Sequence, residues 1–90
     1  MTARRLITSH SAFEAQIGYS RAVAVDDMVF VSGCTGYDYQ TSSIAEDVAE
    51  QAEQCMLNIA AALAEAGAKM EDVVRVRYIL PDRMDFDKTW

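Results

Sequence analysis

The residues best placed to do chemistry lie in one stretch, residues 17–36, IGYSRAVAVDDMVFVSGCTG, where hydroxyls, a thiol and glycines punctuate apolar runs. Residues 19–25 and 28–35 are two β-rich runs joined by Asp26-Asp27, a pair short and polar enough for a tight turn. The second run ends in Ser32-Gly33-Cys34-Thr35-Gly36. A hydroxyl and two glycines at a strand end let a ligand approach the backbone closely, so the hairpin reads as a device that delivers a small binding surface. Each side chain also has a plainer reading: Ser32 as a strand-end hydroxyl, Tyr19 as a ring filling a sheet surface with its hydroxyl satisfied. Cys34 invites a nucleophilic role, but no histidine base accompanies it. His10 is distant in sequence and reads as a loop residue, so a buried or half-exposed thiol is the simpler reading. Arg75 and Arg77 read as a polar face, solvated or between subunits.

The elements that must position these residues follow from periodicity. Residues 6–9 form a weak first strand, residues 11–16 a loop, and the hairpin comes next. From Ile44 the apolar positions Val48, Ala52, Cys55, Ile59, Leu63 and Ala66 recur at steps of three and four, which predicts a helix over 44–66 with that stripe buried. Ser42 or Ser43 can cap its start, with Glu46 nearby, and Gly67 can end it. Residues 71–80 alternate, placing Val74, Val76, Tyr78 and Leu80 on one side, expected to face the helix, and Arg75 and Arg77 on the other. Pro81 stops that strand. Residues 82–90 have helix-start character, with Asp85 as a cap and Phe86 and Trp90 four apart. The order of elements predicts an α+β layer, a mixed sheet with helices packed on one face.

Composition narrows the function classes. Ninety residues make one domain at most, spanning 1–90, and a chain of this length buries only about 60 to 65% of the surface its unfolded form exposes, so self-association would help it. Fourteen acidic against eight basic residues give a net charge of −6, which disfavours nucleic acid and anionic lipid as partners. No run approaches the ~20 apolar residues of a bilayer crossing, and the two early arginines are not followed by the apolar core of a signal peptide. Cytoplasmic residence is therefore expected. Cys34 and Cys55 lack CxxC spacing and a histidine cluster, so no metal site, no disulfide framework and no cofactor is expected.

The stretch IGYSRAV followed by VFVSG resembles the RidA/YjgF family of reactive-intermediate deaminases, also labelled endoribonuclease L-PSP. Gln51, Asn58-Ile59, Leu63, Ala66-Gly67, residues 73–76 and Asp85-Phe86 fall in the family's order and spacing. The family often has a proline between the positions of Gly18 and Tyr19, which are adjacent here. The resemblance implies a chorismate-mutase-like fold, a homotrimer, and hydrolysis of enamine and imine intermediates to 2-keto acids and ammonia at sites between subunits, on a small substrate carrying a carboxylate. It places Tyr19 and Ser32 in the pocket lining, with Gly33 supplying close backbone. It also places the carboxylate-binding arginine and the water-positioning glutamate beyond Trp90, in a C-terminal part of the family domain missing from these 90 residues, so no catalytic residue is assigned. Neither Arg75 nor Arg77 matches that arginine. The family's last strand lies between the strands matching 28–35 and 71–80, so the expectation is a fragment, a truncated form, strands lent by another chain, or a rearrangement. The 90-residue chain alone is expected to be inactive. A non-catalytic binding or structural role is the main alternative, and a ribonuclease the weakest, for want of a basic patch and a histidine pair.

Overall fold

The computed structural model describes residues 3–89. Three short strands form an antiparallel sheet in the order β1 (Arg4–Ile7), β2 (Ala22–Val25), β3 (Met28–Val31). The β2–β3 hairpin closes where expected, with Val25 opposite Met28 and Asp26 in the left-handed region at φ 52°, a conformation that a short polar side chain tolerates. The strands are shorter than the runs read from sequence. Residues 19–21 and 32–35 lie outside them, although Ser32 N–H still donates to Arg21 C=O at 3.0 Å.

Register fixes which side chains meet. The rows Ile7–Ala22–Val31 and Ala24–Val29 share one face, and there they pack with Ala62 of the long helix α2 (Val48–Glu65) and with its C-cap Ala66. The row Leu6–Val23–Phe30 lies on the opposite face, where Leu6 is 59% and Phe30 57% exposed. Of the apolar stripe read from the period, Leu63 is buried and Val48, Ala52, Cys55, Ile59 and Ala66 are half-buried, while Ala62, outside the stripe, is buried beside Leu63.

The long helix begins later than its stripe. Asp47, not Ser42 or Ser43, is the N-cap, its carboxylate accepting from Glu50 N–H at 3.1 Å. Ser43 and Ile44 instead form β5 (Ser43–Ile44), paired with β4 (Tyr37–Asp38) in a small second hairpin. The C-terminal end is as expected: Gly67 is left-handed at φ 80°, and Ala68 N–H reaches back to Leu63 C=O at 2.8 Å. Gly36 serves this packing too. A Cβ there would lie 2.7 Å from backbone atoms of Gln51, so the second glycine of the SGCTG turn admits the helix rather than a ligand.

Four other expectations are corrected. Residues read as a loop over 11–16 form the helix α1 (Ala12–Ile17), whose N-cap Ser11 and Glu14 make a reciprocal capping box, and whose end is set by Gly18 at φ 88°. The S-x-x-E signature was present in the sequence, hidden by the helix being only six residues long. The run 71–80 is not a strand among the described residues. Its first two residues belong to a turn of 3₁₀ helix at Met70–Asp72, the rest has no ladder partner, and Val74 is 93% exposed. Alternation specifies a pleat, but a strand persists only where its N–H and C=O groups find a partner edge. The pairings among the described strands are all antiparallel, so the parallel component of a mixed sheet is not among them. After Pro81, Asp82 rather than Asp85 caps a 3₁₀ segment at Arg83–Lys88, and Phe86 packs edge-on against Tyr78. Trp90, its expected neighbour, lies outside the described residues.

Candidate functional site

The polar centre of the molecule is Arg21, a residue that sequence reasoning passed over. It stands in YSRAVAV just ahead of β2, and its side chain is 1% exposed. Antiparallel pairing with the end of β3 turns it towards the loops at that end of the sheet, where protein groups surround the guanidinium. Nη1 donates to Gly33 C=O at 2.7 Å and to Cys34 Sγ at 3.7 Å. Nη2 donates to the Tyr19 hydroxyl at 3.2 Å, and Nε to Ser9 Oγ at 3.3 Å. The Tyr39 ring lies 4.2 Å from the guanidinium carbon, close enough for a cation–π contact.

The counter-charge is Glu14, 7% exposed, with its carboxylate 3.8 Å from Nη2. Thr8 Oγ1 donates to it at 2.8 Å, Ser9 N–H at 3.1 Å and Ser11 N–H at 3.3 Å, and the Ser9 hydroxyl donates to it as well. Burial works to raise the Glu14 pKa, but the donors from Ser9, Thr8 and Ser11 outweigh it and hold the carboxyl below its ordinary value. Burial likewise opposes the Arg21 charge, and Tyr39, Cys34 and Tyr19 outweigh it, so the pKa is raised. The pair is a satisfied buried ion pair.

The structure brings all three expected binding residues to Arg21. Tyr19 and Gly33 touch the guanidinium, and Ser32 Oγ donates to Arg21 C=O at 2.8 Å. Tyr19 and Ser32 are half-buried and Gly33 is exposed, with nothing within 4 Å of where a Cβ would stand. Cys34 sits beside them, but burial pushes its pKa up more than Arg21 pulls it down, leaving a neutral thiol rather than an activated nucleophile at neutral pH. Cys55, on α2, donates to Cys34 C=O at 3.2 Å and is likewise raised by burial. His10 is exposed at the left-handed φ of 60°, its N–H held by Thr8 Oγ1. Arg75 and Arg77 are exposed in the unpaired run and do not join the cluster.

On the other side of Arg21 a half-open cleft of about 620 Å³ runs between β1, α2 and the loop after β4, with Ser9, His10, Tyr39, Gln54 and Asn58 among its walls. Tyr19, Ser32 and Gly33 do not line it. Asn58 fixes the neighbouring loop by donating to Thr35 C=O at 3.0 Å and Tyr37 C=O at 2.7 Å. Among the described residues no group of three or more His, Cys, Asp or Glu side chains could hold a metal ion, and no helix is long and apolar enough to cross a membrane. The signal that could have found Arg21 is its position. An arginine inside a half-apolar β run has to be buried with partners or break the alternation, and Glu14, in a capping-box position upstream, is an acid available to it.

Comparison with known proteins places this arrangement. The family model described as Endoribonuclease L-PSP matches residues 9–89. A RutC family protein of Pyrococcus abyssi is 42% identical over 71 residues, covering 78% of this chain and 56% of its own length. A protein of Salmonella typhimurium named 2-iminobutanoate/2-iminopropanoate deaminase is 38% identical over 73 residues, covering 80% of this chain and 57% of its own. The chain thus spans little more than half the length of these relatives. A crystal structure of a YjgF/YER057c/UK114 family member from Mycobacterium tuberculosis superposes with a TM-score of 0.85 at 36% identity, covering 97% of this chain and 68% of that one. Sequence match and superposition agree with the hairpin and helix described above: the chain has the α+β fold of the YjgF/RidA structures and belongs to the Endoribonuclease L-PSP family.

Proposed function

We propose that this chain carries part of a RidA-type site that hydrolyses enamine and imine intermediates to 2-keto acids and ammonia. The observation that carries the reading is the convergence of Tyr19, Ser32 and Gly33 on one buried guanidinium, on a chain whose relatives are named imine deaminases. In that reaction an enamine first takes a proton at carbon to become the imine. Water then adds to the C=N carbon, and the carbinolamine collapses with ammonia leaving and a keto group remaining. Tyr19 and Ser32 supply hydroxyls that orient the substrate, and the open backbone at Gly33 lets it approach.

Turnover also needs a cation for the substrate carboxylate and a group that positions water. Arg21 and Glu14 do not serve, because both are already committed to protein groups. Those roles fall to the arginine and glutamate that the family resemblance places beyond Trp90. Trimerisation belongs to the same proposal. Leu6, Phe30 and Met28, the last 52% exposed, give the sheet an apolar outer face, and Gly33 stands at its end, so a subunit covering that face also walls the site.

A binding role without turnover is the second reading, favoured by the same commitment of Arg21 and Glu14. A ribonuclease fits least: the net charge is −6 and the sole histidine is exposed beside no second base. Keto-acid release from 2-aminoacrylate and 2-iminobutanoate separates these. The 90-residue chain is expected to release little, and a chain extended by the family's remaining segment to release it in a Tyr19-dependent way. Robust turnover by the short chain, unaffected by Tyr19→Phe, would sink the reading.

A further inference from the structure

Arginine has five N–H donors and no acceptor, so each contact that Arg21 makes has a fixed polarity. At 3.2 Å from Nη2 the Tyr19 oxygen must accept, and among the described residues no acceptor is found for the Tyr19 hydroxyl hydrogen. That hydrogen is left free to donate to a group outside the cluster. The guanidinium cannot turn away to relax this arrangement. Gly33 C=O and Ser9 Oγ hold its other edges, Tyr39 covers its face, and Glu14 stands 3.8 Å off as counter-charge.

We propose that Arg21 is the positioning residue of this site: by occupying the Tyr19 oxygen it fixes Tyr19 as a hydrogen-bond donor to the ligand. The site thereby selects molecules that present an acceptor oxygen there, a carboxylate or ketone. The proposal rests on the reading that Tyr19, Ser32 and Gly33 line a ligand site. Arg21 itself never touches the ligand. Lysine cannot replace it, since one ammonium cannot span Tyr19, Gly33 and Ser9 as a planar fork does.

The test uses the 90-residue chain and 2-oxobutanoate, the keto acid that hydrolysis of 2-iminobutanoate would leave, as probe. Its dissociation constant is read from amide shift titrations of wild type, Tyr19→Phe, Ser32→Ala, Arg21→Lys and the Tyr19→Phe/Arg21→Lys double variant, each checked for folding by circular dichroism. Tyr19→Phe and Arg21→Lys are each expected to weaken binding about tenfold, and the double variant no more than either alone, because both remove one donor. The Raman doublet of Tyr19, isolated by subtracting the Tyr19→Phe spectrum, is expected to report an accepting hydroxyl in the ligand-free wild type and to change in Arg21→Lys. Wild-type binding by Arg21→Lys beside weakened Tyr19→Phe, or multiplying effects in the double variant, overturns the proposal. Where Arg21→Lys does not fold, the wild-type spectrum decides, and a Tyr19 hydroxyl that donates to the ligand-free protein overturns it. Undiminished binding by both Tyr19→Phe and Ser32→Ala overturns the underlying site reading instead.

Discussion

The hairpin of β2 and β3 and the run 73–80 have the same kind of sequence, alternating β-branched residues with an arginine set among them, yet only one of them is a sheet. In the hairpin the two runs are a turn apart, each supplies the other's hydrogen bonds, and Ala22, Val29 and Val31 find Ile7 and Ala62 to pack against. The lone arginine there is buried and has partners. In the run 73–80 no neighbouring strand lies within reach of the described chain, and Val74 and Ile79 stand in solvent with Arg75 and Arg77. The difference shows that alternation encodes which side of a strand is apolar, while the existence of the strand depends on a second edge.

The comparison can be broken most directly at the two kinds of arginine. Arg21→Ala leaves Glu14 buried without its counter-charge and strips Gly33 C=O and Tyr19 of a donor, so it should cost roughly 3–5 kcal/mol in urea denaturation. Arg75→Ala should lie within about 0.5 kcal/mol of wild type. An Arg21→Ala chain as stable as the wild type would show that the buried pair contributes nothing to the fold.

Next in size are the apolar faces. Leu63→Ala, removing a buried side chain of α2, should cost about 2–5 kcal/mol, whereas Val74→Ala, in the unpaired run, should be nearly silent. If Val74→Ala destabilises comparably, the run is paired in solution, through a second copy or a strand from elsewhere, and the loss should then depend on protein concentration.

The two glycines of the SGCTG turn divide the same way. Gly36→Ala drives a methyl group into the backbone of Gln51 and should cost about 1–3 kcal/mol. Gly33→Ala meets open space, so thermal denaturation should find it close to wild type while titration with 2-oxobutanoate finds weaker binding.

The smallest effect is on pH dependence. Glu14 has its pKa lowered on folding, so its contribution is present above the ordinary glutamate pKa and is lost as pH falls through the ordinary value towards the folded one. Denaturation midpoints should therefore fall below about pH 4.5, and the drop should be shallower in Thr8→Ala, which removes one of the donors holding the carboxylate.

Much of this molecule was legible in residue order. The hairpin and its two-aspartate turn, the buried stripe of α2 and its glycine end follow from local rules, because each depends on neighbours a few positions away. The grouping of Tyr19, Ser32 and Gly33 followed from the family resemblance and not from local spacing. What could not be read was the agent of that grouping. Arg21 meets Gly33 twelve positions away, Ser9 twelve positions in the other direction and Tyr39 beyond both, and no periodicity records such contacts. Short elements escape periodicity as well: α1 has only six residues, and Ile44 fits the period of α2 although the β4–β5 hairpin holds it. The sequence by itself determined which residues are apolar, where the chain turns and which face of α2 is buried, since these are properties of local spacing; the hairpin is apolar on both faces, and packing against α2 decides which one is covered. Only the tertiary structure decided that one arginine is a buried hub and two others are solvated, and that of two alternating runs one pairs and the other does not. Burial and hydrogen-bond partnership are properties of surroundings, which the chain acquires only by folding.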